Sequence, residues 1–124
     1  MLPRVHRFAT QDQLLDALYT GIGALAGECL RRHARFAIIL AGGNTPRALY
    51  RRLRELPTEW RHWHVYFSDE RCLAAGNPER NDSMAAQAWL DHVAIPALQV
   101  HRVPAGDDAV AAARAYSAVL AQSP

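Results

Sequence analysis

Phe36-Ala37-Ile38-Ile39-Leu40-Ala41-Gly42-Gly43-Asn44-Thr45-Pro46 is the stretch on which the fold turns. Its first six residues are apolar without a break, the pattern of a strand covered on both faces, as in a parallel sheet. Gly42 to Thr45 is turn chemistry. Thr45 is a good N-cap, and Pro46 has the locked φ favoured at the first helical position. Leu49, Leu53 and Leu56 then supply the buried side of a helix that Pro57 stops. Strand, tight turn and helix follow within about twenty residues, which is half of a strand–helix–strand unit.

The same alternation extends in both directions. Upstream, Val5 to Phe8 reads as a short strand. Thr10 opens a helix with Gln13 three residues on, the spacing of a capping box. Leu15, Leu18, Ile22, Leu25 and Cys29 fall on one helical face, and Arg31-Arg32-His33 suits the negative end of the helix dipole. Downstream, Trp60 and Trp63 lead into a strand over His64 to Ser68, followed by a polar loop from Asp69 to Arg80. A helix is expected from about Asp82 to His92, a third strand from Val100 to Val103, and a last helix capped by Asp107 or Asp108. Ala109, Ala113, Tyr116 and Leu120 share a face of that helix. Alternation of this kind predicts an α/β fold with a largely parallel sheet.

Composition narrows the function. The 124 residues suffice for one domain and not for two, so residues 1–124 read as a single α/β domain. All fourteen basic residues are Arg, yet the formal net charge is only +2 and no block of like charge occurs, which argues against nucleic acid as a partner. Cys29 and Cys72 form no disulfide framework and suit a reducing cytoplasm. No run approaches the ~20 apolar residues of a membrane span, so a soluble, cytoplasmic protein is expected. His62 and His64 form an H-x-H pair without a third ligand, so no metal is assigned.

Parallel sheets bind ligands at the carboxyl ends of their strands, which directs attention to two loops. In the first, Gly42 and Gly43 let backbone approach a ligand closely. The free N–H groups of a helix start, with the Thr45 hydroxyl, make an anion site. In the second, Ser68-Asp69-Glu70-Arg71 places three consecutive charges straight after a strand. Arg71 can grip a phosphate or carboxylate in bidentate fashion, and the carboxylates can orient sugar hydroxyls or hold Arg71. The alternatives are a plain tight turn and a solvated loop with a local salt bridge. No Ser/His/Asp or Cys/His constellation can be assigned, so the catalytic residues stay unassigned.

Taken together, these motifs resemble the 6-phosphogluconolactonases of the glucosamine-6-phosphate isomerase and 6-phosphogluconolactonase superfamily. Ala41 to Pro46 with Leu49-Tyr50 is similar to the family's Ser-Gly-Gly-Ser/Thr-Thr-Pro signature. Trp63 to Phe67 with Asp69-Glu70-Arg71, then Asn77 to Asn81 and Met84, is similar to the second. The resemblance implies a three-layer α/β/α fold with a largely parallel, Rossmann-like sheet, here truncated to the N-terminal half. It implies a sugar phosphate as the small-molecule partner and hydrolysis of 6-phosphoglucono-1,5-lactone to 6-phosphogluconate in the pentose phosphate pathway. No cofactor is implied. Gly42, Gly43, Asn44, Thr45 and Arg71 would hold the phosphate; Asp69, Glu70 and Asn81 would shape the sugar pocket. Asn44 departs from the commoner Ser, and Arg80 and Asp82 flank Asn81 where many members have Ser and Tyr. The family's Asp-Gly-His-x-Ala-Ser element, whose His is taken as the general base, is absent. The isolated chain is therefore expected to be inactive, and to self-associate or need a complementing second-half fragment. The rival readings are a non-catalytic sugar-phosphate-binding module and an amino-sugar-phosphate isomerase; the isomerases carry Asp-Glu-Tyr at the position of Asp69-Glu70-Arg71.

Overall fold

The structure, a computed structural model, describes residues 2–123. Four helices and two strands follow in the order α1 (Gln11–His33), β1 (Phe36–Leu40), α2 (Asn44–Leu53), β2 (Trp63–Phe67), α3 (Asn81–Ala88) and α4 (Ala109–Ala121). Short 3₁₀ turns lie at Trp60–His62, Leu90–His92 and Ala97–Gln99. β1 and β2 pair in parallel, Phe36 opposite Trp63 and Leu40 opposite Phe67, so both strands end at the same edge of an α/β fold. Among the described residues no helix is long and apolar enough to cross a membrane.

Local chemistry explains the element boundaries. The Thr10 hydroxyl accepts the Gln13 N–H, and the Gln13 side chain takes the Ala9 N–H in return, one residue earlier than a standard capping box. α1 ends at Ala34, which adopts the left-handed conformation (φ 58°, ψ 20°) and donates to the Leu30 carbonyl. α1 and α2 are tied by Arg52, which pairs with Asp12 and Asp16. The core lies on the sheet face of Phe36, Leu40, Trp63, Val65 and Phe67, against Leu15 and Ala26 of α1, Leu49 and Leu53 of α2, and Met84 and Ala85 of α3.

Several expectations are corrected. Val5 to Phe8 is not a strand: the segment is exposed and no strand lies beside it to complete a ladder. β1 is covered on one face only. Phe36 and Leu40 are buried, whereas Ala37 is exposed and Ile39 keeps 66% of its surface, because α1 to α3 all pack on the other side. The buried stripe of α1 runs through Leu15 and Ala26, and Leu18 and Leu25 face outward. The α2 cap is Gly43 rather than Thr45. Gly43 has φ 110°, a conformation that glycine alone adopts cheaply, so the helix starts two residues early. Pro46 still falls in the first turn, where its missing N–H costs nothing. The helix expected to reach His92 breaks at Trp89 (φ −146°, ψ −58°), which swings its buried indole into a cluster with the buried Trp63 and Tyr50 and the partly buried Trp60. Arg54 of α2 caps the carbonyls freed there, those of Ala88 and Gln87. On α4 only Tyr116 is buried; Ala109, Ala113 and Leu120 are exposed.

The third strand is reduced to one bridge, Val65 with Val100, where the His101 N–H donates to the Val65 carbonyl at 2.8 Å. The next rung is replaced by a side chain. The Tyr116 hydroxyl accepts the Phe67 N–H at 2.8 Å and donates to the His101 carbonyl at 2.8 Å. In a parallel ladder those two backbone groups would bond each other. A phenol inserted between them satisfies both and forces the segments apart.

Candidate anion-binding site at the carboxyl ends of the strands

The two loops are locked to each other before any ligand arrives. The Leu40 carbonyl accepts both the Ser68 N–H at 2.9 Å and the Ser68 hydroxyl at 3.0 Å. Tyr50 reaches back from α2, donating to the Ala41 carbonyl at 2.7 Å and accepting the Ala41 N–H at 3.2 Å. Burial raises the Tyr50 hydroxyl to about 12, so it remains a donor at any ordinary pH. That fixes the residue from which the glycine turn departs.

Gly42 is required by contact. A Cβ on it would lie 2.2 Å from Asn81 Oδ1 and 2.8 Å from Asn81 Cγ. Asn81 itself is held: its Nδ2 donates to the Asp69 carbonyl at 3.1 Å, and its residue surface is only 7% exposed. The first loop therefore rests directly on the start of α3.

Glu70 lies beneath this contact, with its side chain 1% exposed. One carboxylate oxygen accepts the N–H groups of Asn81 (2.6 Å) and Arg71 (2.8 Å), and the other accepts that of Asp82 (2.9 Å). α3 has no capping side chain of its own; Glu70 supplies the cap from eleven residues upstream, where negative charge also meets the positive helix end. Arg80, 1% exposed, grips Asp82 in bidentate geometry at 3.0 and 3.1 Å and donates to the carbonyls of Leu73 and Val103. Burial alone would raise the Asp82 carboxyl, but the hydrogen bonds and charge of Arg80, with Arg102, outweigh it and hold the group below its usual range. Arg80 and Asp82 thus form a buried ion pair that braces the second loop.

An open cleft of about 340 Å³ lies above this scaffold, lined by Gly43, Asn44, Arg47, Arg71, Asn81 and Met84, among others. The sequence-predicted residues divide around it. Gly43, Asn44, Arg71 and Asn81 line the cleft, and Gly42 sits under it against Asn81. Thr45 lies on the other side of α2, beside Pro46 and Leu18. Asp69 faces a neighbouring groove of about 320 Å³ between the second loop and α4, which Arg71 also lines. Glu70 is turned inward as a helix cap, and neither carboxylate holds the Arg71 guanidinium among the described residues. Arg47 is the residue that sequence reasoning passed over. Its signal was available: it is a cation in the first turn of a helix that has no acid there, opposite to the sign the dipole favours.

His62 and His64 do not converge. His62 leans on Glu59, while His64 Nδ1 lies 3.3 Å from His101 Nε2, with the two rings within 11° of parallel. Burial, then the charge of Arg35, lowers the pKa of both rings of this pair. Among the described residues no three His, Cys, Asp or Glu side chains gather as a metal would need.

Comparison with known proteins agrees with this geometry. The family described as glucosamine-6-phosphate isomerases/6-phosphogluconolactonase matches residues 9–124. The chain is 34% identical over 128 residues to a 6-phosphogluconolactonase of Mycobacterium leprae, covering 98% of this chain and 52% of that protein. It is 41% identical over 87 residues to one from Nostoc, covering 68% of this chain and 36% of the relative. The solved 6-phosphogluconolactonase from Trypanosoma cruzi superposes with a TM-score of 0.81 at 28% identity, covering 97% of this chain and 50% of that one. The chain thus spans about half the length of most of these relatives. With the two signature loops and the strand-end cleft they enclose, the match shows that this chain belongs to the glucosamine-6-phosphate isomerase/6-phosphogluconolactonase family.

Proposed function

We propose that the chain carries the phosphate-binding half of a 6-phosphogluconolactonase site. In the complete reaction, water adds to C1 of 6-phosphoglucono-1,5-lactone, the bond from C1 to the ring oxygen breaks, and the proton from water ends on that oxygen. A general base must take the water proton, and no residue of this chain is assigned to that role. The chain contains no Asp-Gly-His sequence, the element whose His would take this role by resemblance. Gly42, Gly43, Asn44, Thr45 and Arg71 hold the phosphate, Thr45 through its backbone N–H. Asp69 and Asn81 contact the sugar, and Glu70 acts through the α3 start that it caps.

The observation that supports this most is one cleft receiving a helix N-terminus and the Arg71 guanidinium together. A cytoplasmic location fits the reading. The exposed Leu18, Leu25 and Ile39 support self-association or complementation by a second-half fragment, which light scattering across a dilution series would register. Calorimetry with 6-phosphogluconate on wild type and Arg71→Ala tests the site; the variant is expected to bind more weakly by about 1.5–3 kcal/mol. Equal affinity in a folded variant removes Arg71. A coupled assay for 6-phosphogluconate tests the rest. Turnover above spontaneous hydrolysis, where positioned bases give about 10²–10⁴-fold, would place the base within these residues.

A further inference from the structure

Most arginines of the folded body have a partner. Arg31 and Arg32 meet Glu28, Arg52 meets Asp12 and Asp16, Arg54 caps α3, Arg61 meets Glu59, and Arg80 and Arg102 meet Asp82. Arg47 and Arg71 have neither an ion pair nor a side-chain hydrogen bond among the described residues, and they line the same cleft. The cleft also receives the start of α2, whose first turn contains no acid and whose cap residue supplies no side-chain bond. Two like charges and a positive helix end in one open cleft repel each other. Such an arrangement is stable in solvent and gains when an anion enters. Among the described residues Glu79 is the single carboxylate lining the cleft, and it pairs with neither arginine. Arg80, also in the lining, is already neutralised by Asp82.

We infer that Arg47 is a second phosphate-gripping side chain and that the Arg47–Arg71 pair selects a doubly charged phosphate monoester over a singly charged anion. This rests on the phosphate reading of the cleft and goes one residue and one charge state further. Arg47 lies in the first turn of α2, so its guanidinium and the helix N–H groups approach the anion from one side. Arg71, on the second loop, approaches from the other. A monoanion satisfies one guanidinium; a dianion satisfies both.

The test is calorimetry on the 124-residue chain with methyl phosphate and with sulfate, for wild type, Arg47→Ala, Arg47→Lys, Arg71→Ala and Glu79→Gln. A thermal melt of each variant confirms the fold. A phosphate monoester loses its second proton near pH ~6, whereas sulfate keeps two charges throughout. Wild-type affinity for methyl phosphate should fall between pH 7.5 and 5 while that for sulfate holds, and Glu79→Gln should keep this profile. Arg47→Ala should lose about tenfold or more for both anions at pH 7.5, the size of a charge-assisted bond, and should flatten the methyl phosphate profile. Arg47→Lys should recover part of the affinity. If Arg47→Ala binds as wild type while Arg71→Ala is weakened, Arg47 is not in the site and the phosphate reading stands. If wild type binds neither anion, both fall. A methyl phosphate affinity that ignores pH overturns the charge-state selection.

Discussion

Tyr116→Phe removes one oxygen atom and leaves the ring in place, so it isolates what the hydroxyl does between β2 and the segment after Val100. The hydroxyl is hydrogen-bonded on both sides at 2.8 Å. Burial, first among several causes, raises its pKa, so it is a neutral donor and acceptor. Without it the Phe67 N–H is left unpaired on a residue only 3% exposed, whereas the half-buried His101 can turn its carbonyl to water. An orphaned buried backbone donor costs about 1–3 kcal/mol, and the second bond contributes about 1 kcal/mol. The expected loss is therefore about 2–4 kcal/mol, a large fraction of the stability of a small domain. Urea unfolding should show it as a lower midpoint at unchanged slope. Hydrogen exchange should locate it, with the Phe67 amide losing protection before those of Val65 or Leu40. A loss below about 0.5 kcal/mol with the Phe67 amide still protected would mean that the strands re-pair without the phenol, and the wedge argument would fail.

Gly42→Ala should destabilise by about 1–3 kcal/mol, because the new Cβ overlaps an Asn81 side chain that is itself pinned to Asp69. Combining it with Asn81→Ala should recover most of that cost, and additivity of the two changes would refute the contact. Ala34→Gly should raise stability by about 0.5–1 kcal/mol by relieving a left-handed alanine at the end of α1, measured by urea midpoint. The depressed Asp82 carboxyl contributes stability that is full above the unfolded value of 3.8 and lost as pH falls below it. Asp82→Asn should flatten that acid limb of a melting-temperature profile. The depressed His64–His101 pair acts in the same direction higher up, favouring the fold above pH 6.5 and weakening it as the rings are forced to protonate. Proton NMR titration of both rings should give midpoints below 6.5.

The strand–turn–helix order was legible because it rests on local signals: an apolar run, a double glycine, a cap and a proline. What misled was everything set by neighbours. Phe36 to Leu40 reads as covered on both faces because composition records only that apolar residues are tolerated, and the exposed Ile39 looks no different in sequence from the buried Leu40. The strand at Val100 fails for a reason sixteen residues away, in a tyrosine whose role cannot be read from helical spacing. In the site, the loops and Arg71 were visible as charge and glycine at strand ends. Glu70 looked like a sugar ligand because its capping partners, the N–H groups of Asn81 and Asp82, are backbone atoms that every residue possesses. Arg80 and Asp82, two residues apart, gave no hint that they would be buried.

Tyr50 has one more consequence, for the outer edge of β1. Because the Leu40 carbonyl points to β2, the N–H and C=O groups of Ala37, Ile39 and Ala41 point the other way. Tyr50 occupies both groups of Ala41, which leaves Ala37 and Ile39 as the usable rungs. The phenol is therefore a stop on a ruler. Any strand laid along this edge finds two residues to pair with and then meets a hydroxyl, so its register is set from the ligand end of the sheet. An incoming strand cannot slide toward the glycine loop without first breaking two hydrogen bonds, and the anion cleft is shielded from pairing errors at the edge beside it.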